Sequence, residues 1–267
     1  MIRPPAVAGR FYTADPAQLK NQIDEFTTTD GATTTAIGCV VPHAGYMYSG
    51  KVAGAVYAHT NLPARFILLG PRHYPRGERL AILSKGSWDT PLGPVRLDNA
   101  LAAELKRLFP LLREDSVAHA PEHSLEVQLP FLIQLAGHFT FVPVLIAAER
   151  FDVLEALGHA LAKAISRQGD SVMIVASSDM NHRENDEITR VKDRKAIDAI
   201  LSLDAHGLYE TVRREDISMC GYGPAVAMLT AARDLGAASA RLVRYATSAE
   251  ATGDLDDVVG YAGIIVQ

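Results

Sequence analysis

The feature that most constrains the fold is the alternation of short apolar runs with longer stretches of helical periodicity. The apolar, β-branched runs predict strands at 37–42, 65–69, 79–83, 139–146, 171–176, 241–246 and 258–266. Several of them are apolar throughout, which is typical of strands covered on both faces. The periodic stretches predict helices at 98–109, 122–136, 151–167, 185–203 and 223–235. This alternation indicates an α/β fold in which a mainly parallel or mixed central sheet carries helices on both faces.

The chain length and the connecting segments favour one domain. A chain of 267 residues suits one large domain or two small ones. Neither an internal repeat nor a linker divides it, so we predict a single domain over 1–267. Segment 84–97 is rich in turn-forming residues and predicts a loop or a hairpin, and the polar segment 27–36 predicts an exposed loop.

Composition narrows the partners and the location. The net charge is −5 and the isoelectric point is near 6.0, so no broad basic face is expected and nucleic acid is not an expected partner. The longest apolar runs are too short to cross a bilayer, and the first residues do not resemble a signal peptide. We therefore expect a cytoplasmic protein without membrane contact. Two cysteines, Cys39 and Cys220, do not make a disulfide scaffold.

Polar side chains follow three of the predicted strands. His43 comes after strand 37–42, His73 after strand 65–69, and Asp179 and His182 after strand 171–176. Parallel strands end at one edge of a sheet, and ligands bind at that edge in open α/β folds. We therefore expect these four side chains to form one polar site.

Each of these residues also has a simpler interpretation. Asp179 alone is compatible with a cap of the helix predicted near 185, and His182 alone with a surface or capping residue. One histidine after a strand is more often a loop residue than a functional one. The combination of the three segments favours a site.

Segment 119–130 carries a second group of ionisable residues. His123 and Glu126 are three residues apart, so on the predicted helix they share a face. That spacing suits a pair of metal ligands. It equally suits a solvated first helical turn, where acidic residues interact well with the helix dipole, or a residue that orients a ligand histidine.

Cys220 lies just before a predicted helix. A thiol at that position has a lowered pKa when the helix N-terminus acts on it, and it then serves as a ligand or a nucleophile. A buried, inert cysteine is an equal alternative at this point, and for Cys39, inside a predicted strand, it is the better one. Two histidines with a thiolate bind borderline to soft divalent metals, Fe(II) or Zn(II) among them.

Two common catalytic motifs do not account for the chain. The G-x-S-x-G elbow of serine hydrolases does not occur. Gly45 and Gly50 enclose four residues and Lys51 follows, but Val52 stands where a phosphate-binding loop needs Ser or Thr. Neither class explains the histidines.

Seven motifs together resemble a known family. They occur in the family's order along nearly the whole chain: RPPAVAGRFY, VPHAGYMYSG, GPRHY, WDTPLGPV, EHSLEVQLPFL, ASSDMNH and MCGYGP. The sequence resembles the Memo family, also called AmmeMemoRadiSam system protein B.

The resemblance implies a fold related to the class III extradiol dioxygenases, which are non-haem iron enzymes. Those enzymes hold Fe(II) with two histidines and a carboxylate, and in Memo proteins a cysteine takes the place of the carboxylate. By motif, the implied metal ligands are His43, His73 and Cys220. His182 matches the histidine that acts as acid and base, and Asp179 lines the same pocket. Fe(II) is the implied metal, with Zn and Cu as alternatives.

The motifs also depart from the family pattern. Arg72 and Tyr74 flank His73 where the family usually shows Pro-Ser-His-His, and a cationic Arg72 that pointed inward would favour an anionic substrate. The first motif continues as Thr13-Ala14-Asp15-Pro16, which alters a loop. Aromatic residues beside glycine, Tyr46 and Tyr222 in particular, are expected to line the pocket.

Three functions fit these expectations. The first is a metal-dependent redox enzyme of unknown substrate, in which His182 moves a proton; the thiolate makes ring cleavage a poor expectation. The second is a non-catalytic module that binds a peptide or a protein in a degenerate pocket. The third is metal handling without turnover. The resemblance also implies action alongside radical-SAM and AMMECR-type partners, and whether the chain is an enzyme stays open.

Overall fold

In the computed structural model, which describes residues 1–29, 31–147 and 150–267, the apolar runs form the strands of a mixed sheet. The strands within this part are β1 (Ile2–Arg3), β2 (Gly38–Val41), β3 (Arg65–Pro71), β4 (Leu80–Ile82), β5 (Ser87–Trp88), β6 (Val95–Leu97), β7 (Arg113–Glu114), β8 (Thr140–Ile146), β9 (Met173–Ser177), β10 (His182–Glu184), β11 (Ala240–Thr247) and β12 (Val258–Val266). Each of the seven predicted strands is present, and the turn-rich segment 84–97 is a hairpin of β5 and β6.

Helices connect the strands and cover the sheet. In the same part of the chain they are α1 (Pro16–Thr27), α2 (Tyr46–Ala58), α3 (Asn99–Leu108), α4 (Ser116–His119), α5 (Leu129–Ala136), α6 (Phe151–Ser166), α7 (Asp186–Leu201), α8 (Ala205–Arg214), α9 (Tyr222–Asp234) and α10 (Ala249–Thr252). A 3₁₀ turn, Glu126–Gln128, precedes α5. The predicted loop 27–36 begins at the last residue of α1, and its Asp30 lies outside the described residues.

Helix α2 was not predicted, and its packing explains why. The sequence of α2, YMYSGKVAGAVYA, combines glycine with β-branched and aromatic residues, all of which have low helix propensity. Most of its residues are buried, so no polar face marks a helical period. Gly50 and Gly54 let α1 lie close, because a Cβ on either would overlap Phe26 at 2.3 and 2.4 Å. Tertiary packing therefore determines this helix.

The central strands are parallel and end at one level. The sheet order is β1-β5-β6-β8-β3-β9-β2-β12-β10, with β11 beside β12 and β4 between β7 and β8. Strands β8, β3, β9 and β2 run parallel, whereas β12 is antiparallel to β2. Val41 pairs with Ser177, and Leu69 pairs with Ala176. The register confirms the mixed sheet and places the carboxyl ends of β2, β9 and β3 side by side.

Both faces of the sheet are buried in hydrophobic cores. Strand alternation sends Val40, Ile67 and Ile174 to one core. It sends Cys39, Phe66 and Val175 to the other. Cys39 is fully buried there, as expected for an inert core cysteine. None of the described helices is long and apolar enough to cross a bilayer.

A buried arginine ties the N-terminal segment to residues 119–126. Arg3 is only 5% exposed and donates from Nη1 to Oε2 of Glu126 at 2.7 Å. Its other nitrogens donate to the carbonyls of His119 and Glu122, and the guanidinium lies 4.0 Å over the Trp88 ring. Glu126 also accepts from the Tyr12 hydroxyl and two backbone amides. These contacts hold the segment that carries His123.

Breaking this ion pair is expected to destabilise the protein strongly. Arg3→Met leaves the buried Glu126 charge without its cation, which typically costs about 3–5 kcal/mol of unfolding free energy. Urea unfolding measures the loss. The double variant Arg3→Met/Glu126→Gln should recover part of it, because no net charge is then buried. A loss below about 1 kcal/mol for the single variant would instead assign the pair a surface-like role.

Candidate metal centre

Three histidines meet at the carboxyl edge of the parallel strands. His43 and His73 each lie two residues beyond their strand, and His123 comes from the segment before the 3₁₀ turn. One nitrogen of each ring lies within 4.8 Å of one nitrogen of the other two. The ring centroids of His73 and His123 are 4.5 Å apart and stacked, and His43 lies 5.1 Å from His73. The edge thus gathers nitrogen donors that are distant in sequence.

The protonated nitrogen of His43 is determined by Ser177. Nδ1 of His43 lies 2.9 Å from the Ser177 hydroxyl. That hydroxyl donates its single hydrogen to the Ser124 carbonyl at 2.7 Å, and it accepts from the Gln128 amide at 2.9 Å. The remaining lone pair of Ser177 therefore accepts from Nδ1–H of His43. In the neutral ring, the lone pair of Nε2 is left free to bind a metal.

A buried carboxylate orients His73 in the same way. Glu122 accepts from Nδ1 of His73 at 2.9 Å and from its backbone N–H at 2.8 Å. It also accepts from the backbone amides of His123 and Ser124. Burial alone would raise the pKa of Glu122, but the hydrogen bonds and the positive potential of His73 and His123 place it well below its ordinary value. The ionised Glu122 thus holds a proton on Nδ1 of His73 and leaves the lone pair of Nε2 free to bind a metal.

His123 belongs to the cluster, but the helix predicted at 122–136 begins later. The 3₁₀ turn starts at Glu126, so the prediction that His123 and Glu126 share a helix face is wrong. Glu126 points to Arg3 and Tyr12, whereas the His123 ring packs against Phe11, with the ring centroids 4.6 Å apart and the planes tilted by 46°. Within the described chain, Nδ1 of His123 is buried and makes no hydrogen bond, although Oε1 of Glu122 lies 3.4 Å away. A buried imidazole nitrogen without a hydrogen bond, next to two other imidazoles, is consistent with a metal ligand.

Cys220 lies against His43. Its Sγ is 3.3 Å from Nε2 of His43 and 3.7 Å from the Asp179 carbonyl oxygen. Gly221 allows this approach, because a Cβ there would lie 2.3 Å from the Ser177 carbonyl oxygen. Burial, with Asp179 nearby, raises the pKa of the Cys220 thiol. The expected lowering of the thiol pKa is therefore wrong, because desolvation by burial disfavours the thiolate.

Asp179 secures the loop that carries His43. Its Oδ1 accepts from the backbone N–H of His43 at 2.7 Å and from that of Ala44 at 3.3 Å. Burial raises the pKa of Asp179, against the hydrogen bond from His43 and the charges of the nearby histidines. Asp179 is not a helix cap, because Asn185 caps α7.

His182 lies beside the cluster on the short strand β10. Its backbone N–H donates to the Ser218 hydroxyl at 2.7 Å, and its Nδ1 lies 3.0 Å from the Ser218 carbonyl oxygen. A carbonyl only accepts, so Nδ1 carries the hydrogen and Nε2 keeps its lone pair. The charge of His182 acts on the pKa of both His43 and Asp179.

The histidines of the cluster favour the neutral state that metal binding would require. Burial, followed by the charges of His73 and His123, holds the pKa of His43 well below its ordinary value. Burial likewise lowers the pKa of His123, although Glu122 opposes it. Neutral rings bind a metal without first releasing a proton.

Several residues expected in the pocket have other roles. Arg72 donates to the backbone carbonyls of Arg76 and Gly77 and ties its own loop together, so it does not supply the expected inward cation. The Tyr46 hydroxyl donates to the Val127 carbonyl inside the core. The Tyr222 ring lies 6.1 Å from that of Tyr209, and its place in the pocket stays a prediction.

Some site residues were missed in the sequence. Ser177 and Gln128 had no distinguishing signal, because their role depends on the register of β9 and the position of the 3₁₀ turn. Glu122 stood within the ionisable segment 119–130, yet the helical spacing favoured Glu126 in its place.

The fold and the donor set together define an α/β protein with a histidine-rich candidate metal centre at the carboxyl edge of its sheet. The chain belongs to the Memo family, since the sequence profile described as Memo-like protein matches residues 3–265. This confirms the family expected from the motifs.

Similar proteins agree over the full length. MEMO1 family proteins of Methanopyrus kandleri and Sulfolobus acidocaldarius are 39% and 41% identical over 99% of both chains. The MEMO1 family protein of Methanosarcina barkeri is 40% identical over the whole of both chains. The crystal structure of an uncharacterized protein from Escherichia coli K12 matches with a TM-score of 0.56 at 14% identity, covering 85% of this chain and 98% of that one. That likeness shows a shared fold.

Removing the charge of Glu122 is expected to weaken metal binding. Glu122→Gln keeps the size of the side chain but weakens the acceptor that orients His73. Such a change typically lowers metal affinity by about 10–100-fold. Competition with a chelator measures the affinity. Asp98→Asn is the matched control, because Asp98 is a buried carboxylate that binds Arg65 at the other end of β3, away from the cluster. Equal affinity losses in both variants would contradict a specific role for Glu122.

Proposed function

We propose that the chain binds a divalent transition metal at His43, His73 and Cys220 and uses it in redox chemistry on a small molecule. The observation that carries the proposal is the fixed orientation of both rings. Ser177 and Glu122 occupy the Nδ1 atoms of His43 and His73, and Nε2 of His43 lies beside the sulfur of Cys220.

The donor set fits such a metal. Two imidazole nitrogens and a sulfur suit borderline ions, so Fe(II) is our first choice, with Zn and Cu as alternatives. The imidazole of His123, which lies in the same cluster, offers a further nitrogen donor. A bound iron would supply one-electron redox chemistry and would polarise a ligand, functions that no side chain of the chain provides.

The surrounding residues support proton transfer and orientation. Ser218 holds Nδ1 of His182, so Nε2 of this half-buried ring is the atom that takes or gives a proton. Asp179 holds the backbone of the His43 loop. The Phe11 ring packs against His123 at one side of the cluster.

Metal content tests the binding step. The protein is purified without oxygen, analysed for metals, and the metal-free form is titrated with Fe(II), Zn(II) and Cu. We expect one equivalent of metal, lost in His43→Ala/His73→Ala and retained in His159→Ala, which changes an exposed histidine paired with Asp234. Protein that arrives without metal and ignores all three ions would overturn the proposal.

Metal affinity is expected to rise with pH through Cys220. The pKa of the metal-free thiol is raised, so a metal that binds the thiolate must displace a proton. The apparent dissociation constant should therefore fall by roughly tenfold per pH unit above about pH 7. Isothermal titration with Zn(II) in several buffers measures both the constant and the proton release. Cys220→Ser should flatten the dependence, and an equally steep dependence in that variant would exclude Cys220 as a ligand.

His182→Gln is expected to lower turnover and to leave metal loading unchanged. The substitution removes the imidazole nitrogen that would take or give the proton, so turnover should fall by about 10²–10⁴-fold, the usual contribution of a general acid or base. Oxygen consumption with catechols and other reducing substrates provides the assay, and metal content provides the control. A metal-loaded protein with no turnover on any substrate would favour metal handling.

A groove beside the cluster favours a second candidate, which is binding of a peptide or a small molecule. The groove has a volume of about 630 Å³ and is lined by residues 9–14 and 45–48 together with polar residues of α1. Phe11 lines this groove and also contacts the His123 ring. If radical-SAM and AMMECR-type proteins of the host co-purify equally with the wild type and with His43→Ala/His73→Ala, binding would not depend on the metal.

A further inference from the structure

A buried carboxyl group on α7 lies outside every role described so far. Asp193 is fully buried. Its Oδ1 accepts from the backbone N–H of Asn181 at 2.8 Å, and its Oδ2 accepts from the Tyr245 hydroxyl at 2.7 Å. A Cβ at position 260 would lie 1.8 Å from Oδ2, so β12 has glycine where the carboxyl passes. Burying a carboxylate against two neutral partners is costly, which makes a purely incidental placement a poor explanation.

The partner of Asp193 lies inside the loop that serves the metal centre. Asn181 stands between Asp179, which holds the His43 backbone, and His182. Its own side-chain oxygen accepts from the backbone N–H and the hydroxyl of Ser218, both at 3.1 Å. Ser218 in turn binds His182 and precedes Cys220 by two residues. The carboxyl of Asp193 is therefore hydrogen-bonded to Asn181, the residue that links His182 to the cysteine loop through Ser218.

Strand β12 holds the same loop from the side. The N–H of Met180 donates to the carbonyl of Gly260 at 2.8 Å, and the N–H of Gly260 donates to the carbonyl of Asn181 at 2.9 Å. These bonds leave the Asn181 N–H to Asp193. Four elements thus converge on Asn181. They are β12 through Gly260, the cysteine loop through Ser218, α7 through Asp193, and β10 through Glu184, which accepts from the Asn181 side-chain nitrogen at 2.6 Å.

We propose that Asp193 is a positioning residue for the loop from Asp179 to His182, and that its hydrogen bond to Asn181 keeps His182 in a single tautomer against Ser218. The role of His182 in catalysis rests on the proposed function, but its position does not. Without the acceptor on α7, the Asn181 amide would be buried and unpaired, and the loop would shift to satisfy it. His182 would then lose the fixed acceptor for Nδ1–H.

Titratable side chains from three elements face Asp193. Tyr245 faces it from β11, Arg190 from its own helix and Glu184 from β10. Burial is the largest influence and raises the pKa of Asp193 to about 7. The ionised form accepts both hydrogen bonds, whereas the protonated form must donate one. The Asn181 amide should therefore report the titration directly.

Nitrogen NMR of the metal-free protein tests the proposal. Asp193→Asn keeps an acceptor oxygen for the Asn181 N–H, and Asp193→Leu does not. Tyr245→Phe is the matched control, because it removes the second buried hydrogen bond and leaves the first. We expect a single Nδ1–H tautomer of His182 in the wild type, Asp193→Asn and Tyr245→Phe, and its loss in Asp193→Leu.

An unchanged tautomer in folded Asp193→Leu would overturn the proposal, as would equal loss in both Asp193 variants. If Asp193→Leu does not fold, the wild type still decides. In the wild type, the chemical shift of the Asn181 amide should then change over the same pH range as that of the Asp193 carboxyl carbon. In Asp193→Asn, the Asn181 amide shift should stay constant over that range. An amide that ignores the carboxyl would refute the link. Failure of the proposed function would appear separately, as absence of metal binding.

Thermal unfolding adds an independent measurement with a definite sign. The pKa of Asp193 in the folded protein lies above its ordinary value of 3.8, so folding favours the protonated acid. That contribution to stability is complete below the unfolded pKa and is lost as the pH rises toward 7. The melting temperature of Asp193→Asn relative to the wild type should therefore increase between those two pH values. A constant difference would mean that the carboxyl does not titrate in this window.

Discussion

The parallel pairing of β3, β9 and β2 is the constraint on which the rest of the structure depends. Hydrogen bonds between these strands place Leu69, Ala176 and Val41 at nearly the same level. The residues that follow each strand therefore lie together at the same edge of the sheet. Both faces of the sheet are buried, so a slip of one residue would exchange the two cores. The packing of the two cores therefore determines where the candidate metal centre lies.

Around that edge, polar groups are buried in an ordered chain of donors and acceptors. Tyr57 donates to Gln128, Gln128 donates to Ser177, and Ser177 accepts from His43. On the other side Arg3 and the N-terminal segment hold the stretch that supplies Glu122 and His123. Such networks stabilise a fold weakly, and a partly satisfied one is worse than an apolar core. Their extent here is understandable if they serve to orient the two ligand rings.

Periodicity predicted seven of the described strands, five of the described helices and the edge at which the site lies, because apolar patterning decides which segments are covered; helices α1 and α8 were not predicted. It failed for α2, whose apolar surface continues around the helix, and for the start of α5, where a 3₁₀ turn displaced the expected face of His123 and Glu126. The choice of Glu122 over Glu126 depended on which carboxylate the chain turned toward His73. The structure contradicts the inward direction expected for Arg72 and the lowered pKa expected for Cys220. Both properties depend on contacts made only in the folded protein, which the local sequence does not show.

The proton positions on His43 and His73 have a further consequence. Because Ser177 and Glu122 hold the Nδ1 atoms of both rings, the donors stand ready before any ion arrives, and little reorganisation accompanies its entry. If the site binds a metal as proposed, its fixed geometry, its donor types and the supply of ions in the cell together decide which ion it holds. The same polypeptide is then expected to carry different ions when it is produced in hosts with different metal supplies.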